Sequence, residues 1–388
     1  MAPRVPGRAL RRALAPLVLA LLASGTPAHA ATACARWPAW ESFRADFISA
    51  DGRVIDHVSP RRQTVSEGQA YALLFALAAD DRPTFDTLLT WTTNNLAKGD
   101  LSRHLPAWQW GKRDDGSYGP LDSNPATDAD LWIAYALAEA GRLWESSDYV
   151  RLSHAVGALV LRQSVAELPG LGPVLLPAPE GFGAPAGTWR LNPGYLPIQV
   201  LRGLAAAHPD QRERWRALLA SSVTVLHRAA ASGIAPDWVR VDGRGEFGFD
   251  DGAPAAGSYD AIRVYLWLGL LDAADPERAA LLRRFEPMAR IIRRDGHPPE
   301  RIDVRSGRVL GADAPGAFSA AVAPWLQQTE PRAARRQWQR AARLAPARDE
   351  YYGRALLLLA QGWREGRLRF GPGGELLRQE EACAARAG

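Results

Sequence analysis

Lysine is almost missing from this 388-residue chain: Lys98 and Lys112 are the only two among 47 Lys and Arg residues, and the arginines are scattered rather than clustered. Without a basic stripe there is no footprint for nucleic-acid binding. Cysteine is as scarce, with Cys34 near the start and Cys383 near the end. Two thiols do not make a metal site, although in an oxidising compartment they could pair if the fold brings the termini together. His57, His104, His154, His208, His227 and His297 show no metal-ligand spacing. No Gly-rich phosphate loop follows a strand and no nucleophile elbow is present. Metal and serine-hydrolase chemistry are disfavoured, and neither a metal nor a cofactor is expected.

Long apolar runs are confined to the beginning of the chain. Residues Met1 to Ala30 read as a secretory leader: Arg4, Arg8, Arg11 and Arg12 form the charged start, Leu14 to Ala23 an apolar core short for a bilayer, and Ala28-His29-Ala30 a cleavage site. No membrane span is expected once it is removed, and the protein should be periplasmic or secreted. The formal net charge of +5 includes those four arginines and no leader acid, so the remainder carries about +1. Residues 31–388 are long for a simple domain but ordinary for a closed barrel.

What the chain has in abundance is helical periodicity. Apolar spacing and breakers predict twelve helices near 38–49, 67–80, 82–97, 128–142, 146–168, 195–208, 210–231, 259–272, 276–293, 316–327, 331–344 and 350–365. Strand alternation is scarce, so the fold class is all-α. Long Gly/Pro/Trp-rich loops at 99–126, 169–194 and 233–257 alternate with short turns, and such loops usually serve function.

Three acids, Glu67, Asp128 and Asp260, are predicted in the first turns of the second, fourth and eighth helices, each near a hydroxyl residue able to cap. If consecutive helices run antiparallel, every even-numbered helix presents its N-terminus at the same end, and the three carboxyls share one face. Each also has an ordinary reading. Ser66 with Gln69 resembles a capping box, as does Thr127 with Asp130, and an acid in a first turn suits the helix dipole. Asp260 and Arg263, one turn apart, could be a surface ion pair. The dipole favours ionised Glu67, so a proton-donating role would require burial.

Tryptophan, at 14, outnumbers both tyrosine at 9 and phenylalanine at 10. Most of these rings suit a core, but Trp108 and Trp110 alternate in a segment read as irregular, and Tyr195 and Trp238 sit in similar loops. Exposed loop aromatics suggest stacking on a ligand.

At these residues the chain resembles glycoside hydrolase family 8, and within it the periplasmic endoglucanases associated with bacterial cellulose synthesis. The most specific segment is Ala126-Thr127-Asp128-Ala129-Asp130-Leu131-Trp132-Ile133-Ala134-Tyr135-Ala136-Leu137. Ser66-Glu67-Gly68-Gln69-Ala70-Tyr71, Trp108-Gln109-Trp110-Gly111-Lys112, Leu121-Asp122-Ser123-Asn124, Asn192-Pro193-Gly194-Tyr195-Leu196-Pro197 and Ser258-Tyr259-Asp260-Ala261-Ile262-Arg263 follow the family's order. The likeness runs from about Cys34 to Leu326. Ala138 departs from the signature, and beyond Leu326 the chain becomes an Ala/Arg-rich sequence, with a tail after about 366.

The resemblance implies a single (α/α)6 barrel that cleaves β-1,4-glucan (cellulose) internally with inversion. It implies Glu67 as general acid, Asp260 as general base and Asp128 as the acid binding the sugar at the cleavage point. Tyr259 and Arg263 would flank the base, Trp110 and Tyr195 would line the cleft, and Trp108 and Trp238 join them as candidate sugar platforms. Partners would be the glucan chain and, through the cellulose-synthesis branch, the synthase export machinery. Inversion requires the acid and base carboxyls to stand roughly 6.5–9.5 Å apart. The rivals are activity on chitosan, mixed-linkage glucan or xylan, and a non-catalytic glucan-binding accessory.

Overall fold

Among the described residues, six helices are buried over most of their length, which is possible only if other elements surround them. The computed structural model describes residues 1–3, 36–183, 187–249, 255–311 and 313–377; Cys34 and Cys383 lie outside them, as does most of the expected leader. From Trp37 onward the chain forms one unit. Its helices are α1 Pro38–Phe47, α2 Ser66–Ala78, α3 Arg82–Leu96, α4 Thr127–Leu143, α5 Ser147–Gln163, α6 Ile198–Ala207, α7 Arg212–Ala229, α8 Ile262–Leu270, α9 Arg278–Arg284, α10 Glu286–Asp295, α11 Gly316–Thr329, α12 Pro331–Arg343 and α13 Tyr351–Arg364.

The inner ring is α2, α4, α6, α8, α11 and α13. In α2 every residue but Glu67 is buried, in α4 everything from Thr127 to Gly141, and in α8 all of Ile262–Leu270. Neighbours pack in sequence, α2 on α4, α4 on α6, α6 on α8, α8 on α11 and α11 on α13. Tyr351 of α13 closes the ring against Gly68 of α2. The outer helices bury one stripe each: α12 hides Ala333, Ala334, Gln337, Arg340 and Ala341 and turns its other arginines outward. The result is an (α/α)6 barrel. Gly269 shows how tightly α8 and α11 meet, since a Cβ there would lie 2.5 Å from the Trp325 amide nitrogen and 2.7 Å from Pro324.

The even-numbered helices of the sequence pattern are the inner ring, which is why parity mattered. One predicted helix, 276–293, is instead two. Pro287 sits in the first turn of α10, where it has no N–H to extend α9, and the break falls at Phe285.

The long loops hold short strands. β1 Thr64–Val65, β2 Ala107–Lys112 and β3 Tyr118–Pro125 form one three-stranded sheet. The alternation of Trp108 and Trp110 is thus a strand signal; β2 is half-buried and pairs on both edges, with register shifts around Gln109. The remaining strands are β4 Val165–Leu168, β5 Gly172–Leu175, β6 Thr188–Leu191, β7 Val239–Asp242, β8 Phe247–Gly248, β9 Ala256–Gly257 and β10 Ile302–Asp303, in sheets of two or three.

Candidate active site

Two of the three acids do open inner helices. Glu67 and Asp128 are the second residues of α2 and α4. The hydroxyls before them do not cap, however: the caps are Val65 and Ala126, with no side-chain bond, and the Ser66 and Thr127 hydroxyls are buried without an aligned partner. Gln69 is drawn elsewhere. Its amide accepts from the Val54 N–H at 2.7 Å and donates to the Gly52 carbonyl and Thr92 Oγ1, tying α2 to the preceding loop and to α3. Asp130 is no cap either. It is fully buried, neither carboxyl oxygen has an aligned partner, and burial holds it neutral by raising its pKa far above the ordinary value, with Asp128 adding to the effect.

Asp260 lies outside the first turn expected for it, in a turn two residues before α8. That turn is organised by Asp237, whose carboxylate accepts from the Ser258 and Ala261 amides at 2.8 Å each and from the Ser258 hydroxyl at 2.6 Å. Asp237 escaped sequence reasoning because its capping partners lie more than twenty residues away along the chain.

The centre of the site is Arg263, which is only 3% exposed. Its Nη1 donates to Glu67 and, at 2.9 Å, to Asp128, while Nη2 donates to Asp260 at 2.6 Å. The Tyr195 ring lies against the guanidinium, 5.1 Å from centroid to Cζ. So Arg263 and Asp260 are not a surface pair: one buried cation gathers three carboxyls from three inner-helix starts, as shared helix direction requires. Three ionised acids on one cation would leave an excess of negative charge in a buried place, so at least one proton is retained.

Exposure separates the acids. The side chain of Asp260 is 31% exposed, that of Glu67 15% and that of Asp128 4%. Burial pushes the Glu67 carboxyl up to about 7, against the pull of Arg263 and with help from Asp128 and Asp260. Asp128 is raised as well, again by burial first and against Arg263. For Glu67, desolvation outweighs both the cation and the helix dipole. Two carboxyls with different access to water, one of them protonated near neutrality, are the arrangement that acid/base chemistry requires.

These groups line a cavity of about 330 Å³ with Trp108, Tyr195, Tyr259, Tyr351 and Tyr352 among its walls. Tyr259 stands at the rim, 45% exposed, its hydroxyl donating to Glu300 at 2.8 Å. Trp110 and Trp238 are not among the lining residues. Trp110 is stacked on Tyr118 with the Arg53 guanidinium 4.3 Å from its ring centroid. Trp238 is stacked on Phe182 with Arg190 against it at 4.5 Å and neighbours the Tyr195 ring of the site. Tyr351 and Tyr352 carried no motif signal, lying after Leu326, where the motifs read from the sequence end. A second cavity, about 300 Å³, lies between Arg142, His154, Ala207 and Gly373 and contains none of the three acids.

Comparison with known proteins agrees with this geometry. The family model described as Glycosyl hydrolases family 8 matches residues 16–366. An endoglucanase of Salmonella typhi is 45% identical over 352 residues, covering 91% of this chain and 93% of that protein. An endoglucanase of Xanthomonas axonopodis pv. citri is 45% identical over 384 residues, 97% and 99% of the two chains. The crystal structure of an endo-1,4-D-glucanase from Vibrio fischeri ES114 superimposes with a TM-score of 0.84 at 41% identity, over 89% of this chain and 100% of that one. The chain belongs to glycosyl hydrolases family 8.

Proposed function

We propose that the protein is an inverting endo-1,4-β-glucanase acting on cellulose chains, with Glu67 as acid, Asp260 as base and Asp128 as the carboxyl that holds the sugar at the point of cleavage. The observation that supports this most is the buried cluster on Arg263, where burial keeps the Glu67 carboxyl protonated near neutrality, against the pull of that cation, beside the more exposed Asp260.

In the reaction Glu67 gives its proton to the glycosidic oxygen as the C1–O4 bond breaks. A water attacks C1 from the opposite face and passes a proton to Asp260, so the anomeric centre inverts and both carboxyls exchange protons with solvent before the next cycle. Asp128, too buried to meet bulk water, is suited to a sugar hydroxyl. Trp108 and Tyr195 offer flat faces to neighbouring glucose rings, and such remote contacts help distort the reacting sugar. Among the described residues no helix is long and apolar enough to cross a membrane, which suits a protein exported to the periplasm or beyond and working beside a glucan export apparatus.

Wild type, Glu67→Gln and Asp260→Asn should be compared on carboxymethylcellulose, chitosan and xylan by reducing-sugar release, with the first-formed anomer followed by proton NMR. The reading expects release from carboxymethylcellulose, α-anomeric product and loss of at least about 10²-fold in each variant. No release from any polymer would leave a glucan-binding accessory; β-anomeric product would exclude inversion.

A further inference from the structure

Tyr351 opens the last inner helix, after the last motif read from the sequence. It nevertheless lies over the first turn of α2. The nearest atoms that a Cβ added to Gly68 would meet all belong to that ring, with the Tyr351 hydroxyl at 3.0 Å, Cζ at 3.2 Å and Cε2 at 3.3 Å. The backbone of Gly68 is not left-handed, so the missing side chain serves the approach of the ring and not a turn. Phe43 and Phe47 of α1 pack around the same ring, with centroids 6.5 and 6.1 Å away.

The Tyr351 hydroxyl is buried and has no aligned hydrogen-bond partner. It neighbours the Glu67 carboxyl closely enough to favour its charged form. Glu67 itself is anchored through one oxygen, Oε2, to Arg263. A carboxyl held at one oxygen can still turn, yet a general acid has to aim its proton at a single leaving atom.

We propose that Tyr351 is a positioning residue for Glu67, its hydroxyl donating to that carboxyl during the reaction, and that Gly68 is small so that the ring can reach it. The inference rests on Glu67 being the acid. With Arg263 on one side and Tyr351 on the other, the carboxyl is fixed by two elements of the ring, and the carboxylate left after proton transfer keeps two donors. Arg263, Asp260, Asp128, Tyr71, Tyr195 and Tyr352 also face Glu67, and Asp56 acts on Tyr351. All remain when only the hydroxyl is removed.

Tyr351→Phe and Gly68→Ala test this on two substrates: a β-1,4-glucan oligosaccharide, whose leaving group needs a proton, and a dinitrophenyl β-cellobioside, whose leaving group does not. On the oligosaccharide kcat should fall by between about 10- and 10²-fold in either variant with KM changed by less than roughly 2-fold. On the dinitrophenyl substrate the loss should stay under about 3-fold. Because Tyr351 favours the charged form of Glu67, its removal should move the alkaline limb of the pH–rate profile upward. Equal losses on both substrates, or an unmoved alkaline limb, overturns the proposal. If Glu67→Gln retains oligosaccharide activity, the site assignment itself fails; if Glu67→Gln is inactive but Tyr351→Phe behaves as wild type, only the positioning role fails.

Discussion

Replacing Glu67 by Gln should make the protein inactive and, above neutral pH, more stable. Burial holds the Glu67 carboxyl at about 7 in the folded chain, against an ordinary value of 4.5. Between those values the folded protein keeps a proton that the unfolded chain has released, so stability falls as pH rises across the window and the deficit is complete above it. The gap corresponds to about 3 kcal/mol, an upper end because Asp128 and Asp260 share the same cluster. Gln has nearly the same shape and cannot ionise, so it escapes the penalty. With unfolding entropy near 2.1 cal/mol/K per residue over roughly 350 residues, about 3 kcal/mol raises Tm by about 4 °C. Thermal unfolding at pH 4 and pH 8 is the assay. The variant should match wild type at pH 4, exceed it by up to about 4 °C at pH 8, and have lost about 10²- to 10⁴-fold of its glucanase rate. A Tm difference that does not change with pH, or a variant less stable than wild type at pH 8, refutes the claim that Glu67 is held protonated by burial.

Arg263→Met leaves three carboxyls without their cation, and urea unfolding at pH 7 should show a loss of about 3–5 kcal/mol that shrinks at pH 4, where Glu67 is protonated. Trp108→Ala removes one stacking face, so KM for long oligosaccharides should rise about 2- to 10-fold with kcat little changed in steady-state assays. Burial raises the Asp130 pKa far above its ordinary value, so Asp130→Asn should match wild type within about 1 kcal/mol at pH 3, and denaturant titration should find the variant increasingly the more stable of the two as pH rises to 6 and beyond.

Much of the barrel was legible. Inner helices are marked by apolar residues on all sides, as in Leu73-Leu74-Phe75 and Leu131-Trp132-Ile133, and the count of helices puts Glu67, Asp128 and Asp260 at one end if consecutive helices run antiparallel. The errors have local causes. Pro287 was a visible breaker whose force a continuous apolar pattern concealed. Trp108 and Trp110 carried the period of a strand inside a segment read as irregular. The capping boxes failed because Gln69 and Asp130 are buried and Gln69 is engaged with a loop and a second helix, so a local pairing rule lost to tertiary demand.

By itself the chain determined which stretches are helices, their order, and therefore which helix ends face the same way, because periodicity and breakers act over a few residues. The tertiary structure alone decided that the three acids share Arg263, 196 positions from Glu67 along the chain. It also decided that Glu67 holds its proton, that Trp110 and Trp238 are not in the lining of the cavity around the three acids, and that Tyr351 presses on Gly68. Desolvation, ion pairing and close approach depend on what surrounds a side chain in space, and most of those neighbours are remote in sequence.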